Sequence, residues 1–140
     1  MAQQTTGKAD VKTFLAGETM AAYAVVTYMT LGTNGIFVRP WQTDTQFVIG
    51  VTMSPASTTG ESLEIILAAP SVKCNANASI SAGSIVGPAT DAAGRIVERG
   101  QAATTTAHVP ILGLALQTGT LTNSVVEVLL QPFSANLQSA

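Results

Sequence analysis

The chain has 140 residues, of which 46% are hydrophobic and only 10% charged, with a formal net charge of −2. That charge fraction is far below the roughly 25% usual for soluble domains, which disfavours a freely solvated monomer and favours a subunit with much of its surface against partners. Six scattered basic residues leave no electrostatic footprint for nucleic acid.

In chain order, residues 1–13 are polar and lack any period, which predicts a mobile N-terminal arm able to add as a strand to a neighbour's sheet edge. The same stretch has no apolar core of a secretory signal, no eighteen-residue apolar window predicts a membrane span, and synthesis in a reducing cytoplasm is the expectation. Tyr23–Leu31 is rich in β-branched and aromatic residues and reads as a strand. Asn34-Gly35 after it predicts a type I′ hairpin returning along 36–40. Further strands are predicted near 47–53 and 62–67, separated by a polar Pro/Gly-marked loop, and then near 84–87, 95–98, 110–116 and 125–130.

These eight strands fall into two sets. Gly50–Leu67 (GVTMSPASTTGESLEIIL) and Gly113–Leu130 (GLALQTGTLTNSVVEVLL) each open on glycine, pass through a Ser/Thr-rich middle and end in glutamate plus three aliphatics. Ala16-Gly17-Glu18 and Ala82-Gly83-Ser84 are read as the matching openings of halves 14–68 and 79–133, joined by 69–78. Each four-strand half would leave one apolar face exposed, so the two are expected to pack together. The fold class is therefore all-β, a small sandwich or barrel built from two similar four-strand halves. Glu64 and Glu127 take equivalent places and are expected to face solvent or a partner.

Reactive chemistry is sparse. His108 has no second histidine to share a metal, and no nucleophile elbow presents a serine to it. Gly32-Thr-Asn-Gly35 lacks the lysine and helix start of a phosphate cradle. Glu61 and Glu64 stand three apart on opposite faces of an extended chain and should not converge. Cys74 is alone, excluding an internal disulfide or cysteine zinc cluster, and is read as a buried hydrophobe. No catalytic, cofactor-binding or metal residue is assigned, and the chain is expected not to be an enzyme. Trp41 beside Arg39 and Pro40 is the one combination suited to contact, since Trp and Arg are favoured at interface hot spots. With Val11, Phe14 and Phe133, these two residues form the expected set of capsid or subunit contacts.

The series Ala16-Gly17-Glu18-Thr19, Phe47-Val-Ile-Gly, Thr59-Gly-Glu-Ser62 and Leu63-Glu-Ile-Ile-Leu67 resembles the small head decoration, or capsid cement, proteins of tailed phages. The second half is similar to the same pattern through Ile80-Ser-Ala-Gly-Ser-Ile-Val-Gly87, Gly94-Arg-Ile-Val97, Ile111-Leu-Gly-Leu-Ala-Leu116 and Val126-Glu-Val-Leu-Leu130. The resemblance implies an all-β, non-enzymatic protein on the outside of an icosahedral head, partnered with the major capsid protein and with neither nucleic acid nor membrane. A homo-oligomer is expected, a trimer ahead of a dimer. The competing expectation is a receptor- or carbohydrate-binding knob of a virion fibre, with Trp41 and loop 54–62 as its site.

Overall fold

The computed structural model describes residues 5–6, 9–29, 37–43, 46–99 and 108–136. Eleven strands make up its regular structure, with no helix among the described residues. They are β1 (Thr5–Thr6), β2 (Asp10–Ala16), β3 (Val25–Met29), β4 (Phe37–Pro40), β5 (Gly50–Thr52), β6 (Ser62–Ala68), β7 (Ser71–Asn75), β8 (Ile85–Pro88), β9 (Ile96–Glu98), β10 (His108–Ala115) and β11 (Val125–Asn136). Every predicted strand is present, although the one expected over 47–53 is confined to Gly50–Thr52. The predicted Asn34-Gly35 turn lies outside the described residues.

The first unit is a closed barrel in the order β2-β4-β3-β5-β6. The second is a sheet in the order β1-β7-β11-β10-β8-β9, whose β9 meets the end of β7 through a single parallel bridge, Ala76↔Ile96. The two follow one pairing scheme. Ala16 lies opposite Val38 as Ala76 lies opposite Ile96, both parallel. Val26 pairs with Gly50 as Val86 does with Gly113, and Thr52 with Ile65 as Ala115 does with Val128. Thr13 pairs with Glu64 as Lys73 does with Glu127. The two eighteen-residue copies are thus equivalent hairpins, residue for residue.

Equivalence extends to the turns. Gly60 and Asn123 share a left-handed backbone at the same point of the β5–β6 and β10–β11 connections (φ 88° and 72°), and Tyr23 and Gly83 do so before β3 and β8 (φ 62° and 90°). This corrects the expected openings. Gly83 corresponds to Tyr23 and Ala76 to Ala16, so Ala16-Gly17-Glu18 does not match Ala82-Gly83-Ser84. Each half also has five strands rather than four, and the second begins at Ser71 rather than 79. Residues 10–13, assigned by polarity to the arm, form the first part of β2 along β6. Thr5 and Thr6 add to β7 of their own chain, opposite Val72 and Ser71.

Strand alternation fills each interior. Phe14, Ala16, Met20, Val26, Val38, Leu63 and Ile65 form the first core. Their counterparts Cys74, Ala76, Ile80, Val86, Ile96, Val126 and Val128 lie in the second. Phe14 stands where the second interior has Cys74, and Val38 where it has Ile96, so the same inward positions are filled by different apolar side chains. Glu64 is exposed and Glu127 half-buried, both on outward positions.

Candidate interaction surfaces

The outer wall of each unit carries an apolar row across three strands. In the first unit the row is Val25–Val51–Ile66, set by direct pairing of β3 with β5 and β5 with β6. All three residues are 0% exposed, because this wall packs against the second unit. Each such side chain stabilises by roughly 1.5–3 kcal/mol through burial.

Trp41, expected as a surface contact, is fully buried in this same cluster. Its indole N–H donates to the Gln46 carbonyl at 3.1 Å, while the Gln46 side-chain oxygen accepts the Gln42 and Thr43 amides at 2.7 and 3.0 Å. Trp41 is therefore a contact residue inside the chain, between its two units. Its exposed neighbour in the connection is Phe47, at 76%.

Backbone bonds close the seam. Trp41 N–H donates to Val25 C=O at 2.9 Å, Val25 N–H donates to Gly94 C=O at 2.9 Å, and Gly94 N–H donates to Trp41 C=O at 3.0 Å. The turn before β9 is thus stitched into the first unit. Asn75 adds two bonds, its N–H to Tyr23 C=O at 3.1 Å and its Nδ2 to Ala22 C=O at 2.9 Å. A cleft of about 270 Å³ remains at the edge of the seam, lined by Glu18, Met20, Pro40, Asn75, Gly94 and Arg95 among others.

In the second unit the corresponding row is Ile85–Leu114–Leu129, set by the same pairings. Here Ile85 is 42% exposed and Leu114 and Leu129 are half-buried, with exposed Leu116 and Val125 on the same wall. The turn at its rim is held by Glu98, whose carboxylate accepts Ser81 N–H at 2.9 Å and the Ser84 hydroxyl at 2.6 Å. Those two bonds, the hydroxyl first, hold the Glu98 carboxyl below its usual range. In the first unit the corresponding turn is held by Thr52, whose hydroxyl accepts Ala24 N–H and donates to Ala21 C=O, both at 2.9 Å. Glu61 ties a different loop, accepting from Ser57 and Thr58, with its carboxyl lowered chiefly by the Ser57 hydroxyl.

The other expected contact residues are dispersed. Val11 is 41% exposed on β2, whereas Phe14 points into the first core at 7% and cannot reach a partner without opening it. Arg39 is half-buried on β4, with a buried Nε that has no hydrogen-bond partner among the described residues. Phe133 lies in β11, opposite Ile111, and its side chain is outside the described set. His108 is within β10, opposite Asn136, rather than in a loop. The apolar wall around Ile85 is not among the contacts expected from the sequence. Its signal was the run of adjacent apolar pairs, Ile85-Val86 and Val128-Leu129, which marks strands covered on both faces.

No protein-family model matches the sequence, and no curated protein matches it significantly. Among solved structures, the fold is similar to the crystal structure of the head fibre gp8.5 N base of bacteriophage phi29. The TM-score is 0.66 at 15% identity, and the match covers 89% of this chain and 95% of that one. At that identity the likeness is one of fold, and it spans both units with the joint between them.

Proposed function

We propose that this chain is a structural, non-enzymatic virion protein that binds the outer surface of a phage icosahedral head and stabilises the capsid lattice, with the major capsid protein as its partner. The observation that carries the reading is the two-way coverage of the match to a phage head fibre base. A composition with 10% charge supports it, since a lattice-bound subunit hides surface that a free monomer must keep solvated. Many modest contacts repeated over a shell retain such a subunit through multivalency.

A narrower form, the head-proximal base of a fibre, is favoured by the name of the similar structure. Imaging of virions made with and without this chain tests both. Density at every equivalent lattice position marks a decoration protein, and density continuing outward into a fibre marks a base. Density on the tail, or none on the head, would overturn the reading.

A further inference from the structure

The seam between the two units is not reciprocal. Ala22 C=O, Tyr23 C=O and Val25 N–H of the first unit all bond to the second. Their counterparts are Ala82, Gly83 and Ile85. That stretch keeps the bonds that both units make internally, Gly83 N–H to Ala115 C=O, Ala115 N–H to Ser84 C=O and Arg99 N–H to Ile85 C=O, without the additional bonds to another unit that Ala22, Tyr23 and Val25 make. A Cβ on Gly83 would meet nothing within 4 Å. Contacts of this head-to-tail kind do not close on themselves, and they propagate until a ring or filament forms.

Described residues mark both surfaces that would continue the series, while the counterpart of Gly94, Ile36, lies outside them. The end of the second unit that seats on the first carries Asn75 and Gly94, whose bonds cross the seam, and Arg95, which lines the cleft beside it and accepts the Ala89 N–H at its carbonyl. Its counterpart on the first unit is the row Leu15–Phe37–Met29, joined by direct strand pairing and half-buried throughout. The wall that would receive it is Ile85–Leu114–Leu129, whose counterpart Val25–Val51–Ile66 is sealed inside the chain. Charge on the receiving wall comes from one cross-strand pair, Lys73 opposite Glu127, and from Arg99, whose N–H donates to Ile85 C=O as that of Trp41 does to Val25 C=O. The inner seam uses an asparagine and an arginine, whereas the outer one would bring leucine, methionine and phenylalanine onto isoleucine and leucines.

We infer that the Ile85 wall of one copy receives the Leu15–Phe37–Met29 end of a second copy, repeating between chains the contact made within each chain. The inference is independent of the proposed function, and its test needs no capsid. Sedimentation of the purified full chain over a wide concentration range should show self-association. Ile85→Glu, which blocks the receiving wall, and Met29→Glu, which blocks the inserting end, should each weaken it at least about tenfold. Each variant keeps the surface the other has lost, so an equimolar mixture should form a one-to-one pair. A two-fold contact between like faces would give no such rescue.

A wild-type chain that is monomeric throughout, variants that associate undiminished, or a mixture without pairing would each overturn the inference. Far-ultraviolet dichroism checks that the variants keep their fold. If either loses it, Leu116→Glu on the receiving wall or Phe37→Gln on the inserting end takes its place.

Discussion

Val25, Val51 and Ile66 of the first unit are sealed, while Ile85, Leu114 and Leu129 at the same three positions of the second are exposed or half-buried. The strand pairing beneath them is the same, and so is the alternation that fills each interior. The barrel grammar is therefore indifferent to what lies on its outer wall. Interior positions specify the unit and outer positions specify its neighbours, so one small unit can be used twice in a chain with different surroundings.

The largest effect is expected at Trp41, which the second unit replaces with Arg99. Trp41→Ala empties a fully buried site at the seam and should cost about 3–5 kcal/mol in denaturant unfolding. A loss under about 1 kcal/mol would mean that the seam carries little of the fold's stability.

A pair of glycines gives the next largest effect. Gly94 and Gly83 both have left-handed backbone, at φ 77° and 90°. A Cβ on Gly94 would lie 3.1 Å from the Ala24 Cβ across the seam, whereas one on Gly83 meets open space. Gly83→Ala should cost about 1 kcal/mol from its φ alone. Gly94→Ala should cost about 2–4 kcal/mol, the excess reporting displacement of the seam. Equal costs would show that the seam relaxes freely. Asn75→Ala, which removes the bond to Ala22 C=O, should cost about 1 kcal/mol, measured in the same way.

The smallest effect separates the units by pH. Glu98 is held below its usual range in the folded chain, so its contribution is present above the unfolded carboxylate range and lost as pH falls through the folded value. Acid should loosen the Ser81–Ser84 turn and leave the Thr52-held turn of the first unit unaffected. Glu98 is exposed, so the effect is small. Amide exchange of the two turns, followed below about pH 5, checks it. Glu98→Gln should abolish the difference.

Eight strands and the internal duplication were legible because β-branched runs and Gly-marked turns are local signals. The two long strands that escaped, β2 and β7, are counterparts. Ser71-Val-Lys-Cys-Asn-Ala76 does alternate, with Val72, Cys74 and Ala76 inward, but Pro70, Lys73 and the asparagines have weak strand preference and resemble a linker. The matching of Ala-Gly pairs misled because Gly83 corresponds to a tyrosine, and nothing local announces that Tyr23 takes a left-handed backbone. Trp41 could be singled out by type but not located. Its burial comes from the second unit covering its strand end, a tertiary fact. The Ile85 wall was legible in principle, through doubly apolar strands, once the halves are aligned in their true register.

Cys74 gives one half of the molecule a clock. It is the free cysteine among the described residues, fully buried in the second interior where the first has Phe14, and desolvation pushes its thiol far above the usual range. A thiol reagent can modify it only when the second unit opens, so its labelling rate counts those openings. Seating a second copy on the Ile85 wall ties down the same unit, so labelling should slow as protein concentration rises. A core cysteine thus times the opening of the half whose outer wall is left uncovered.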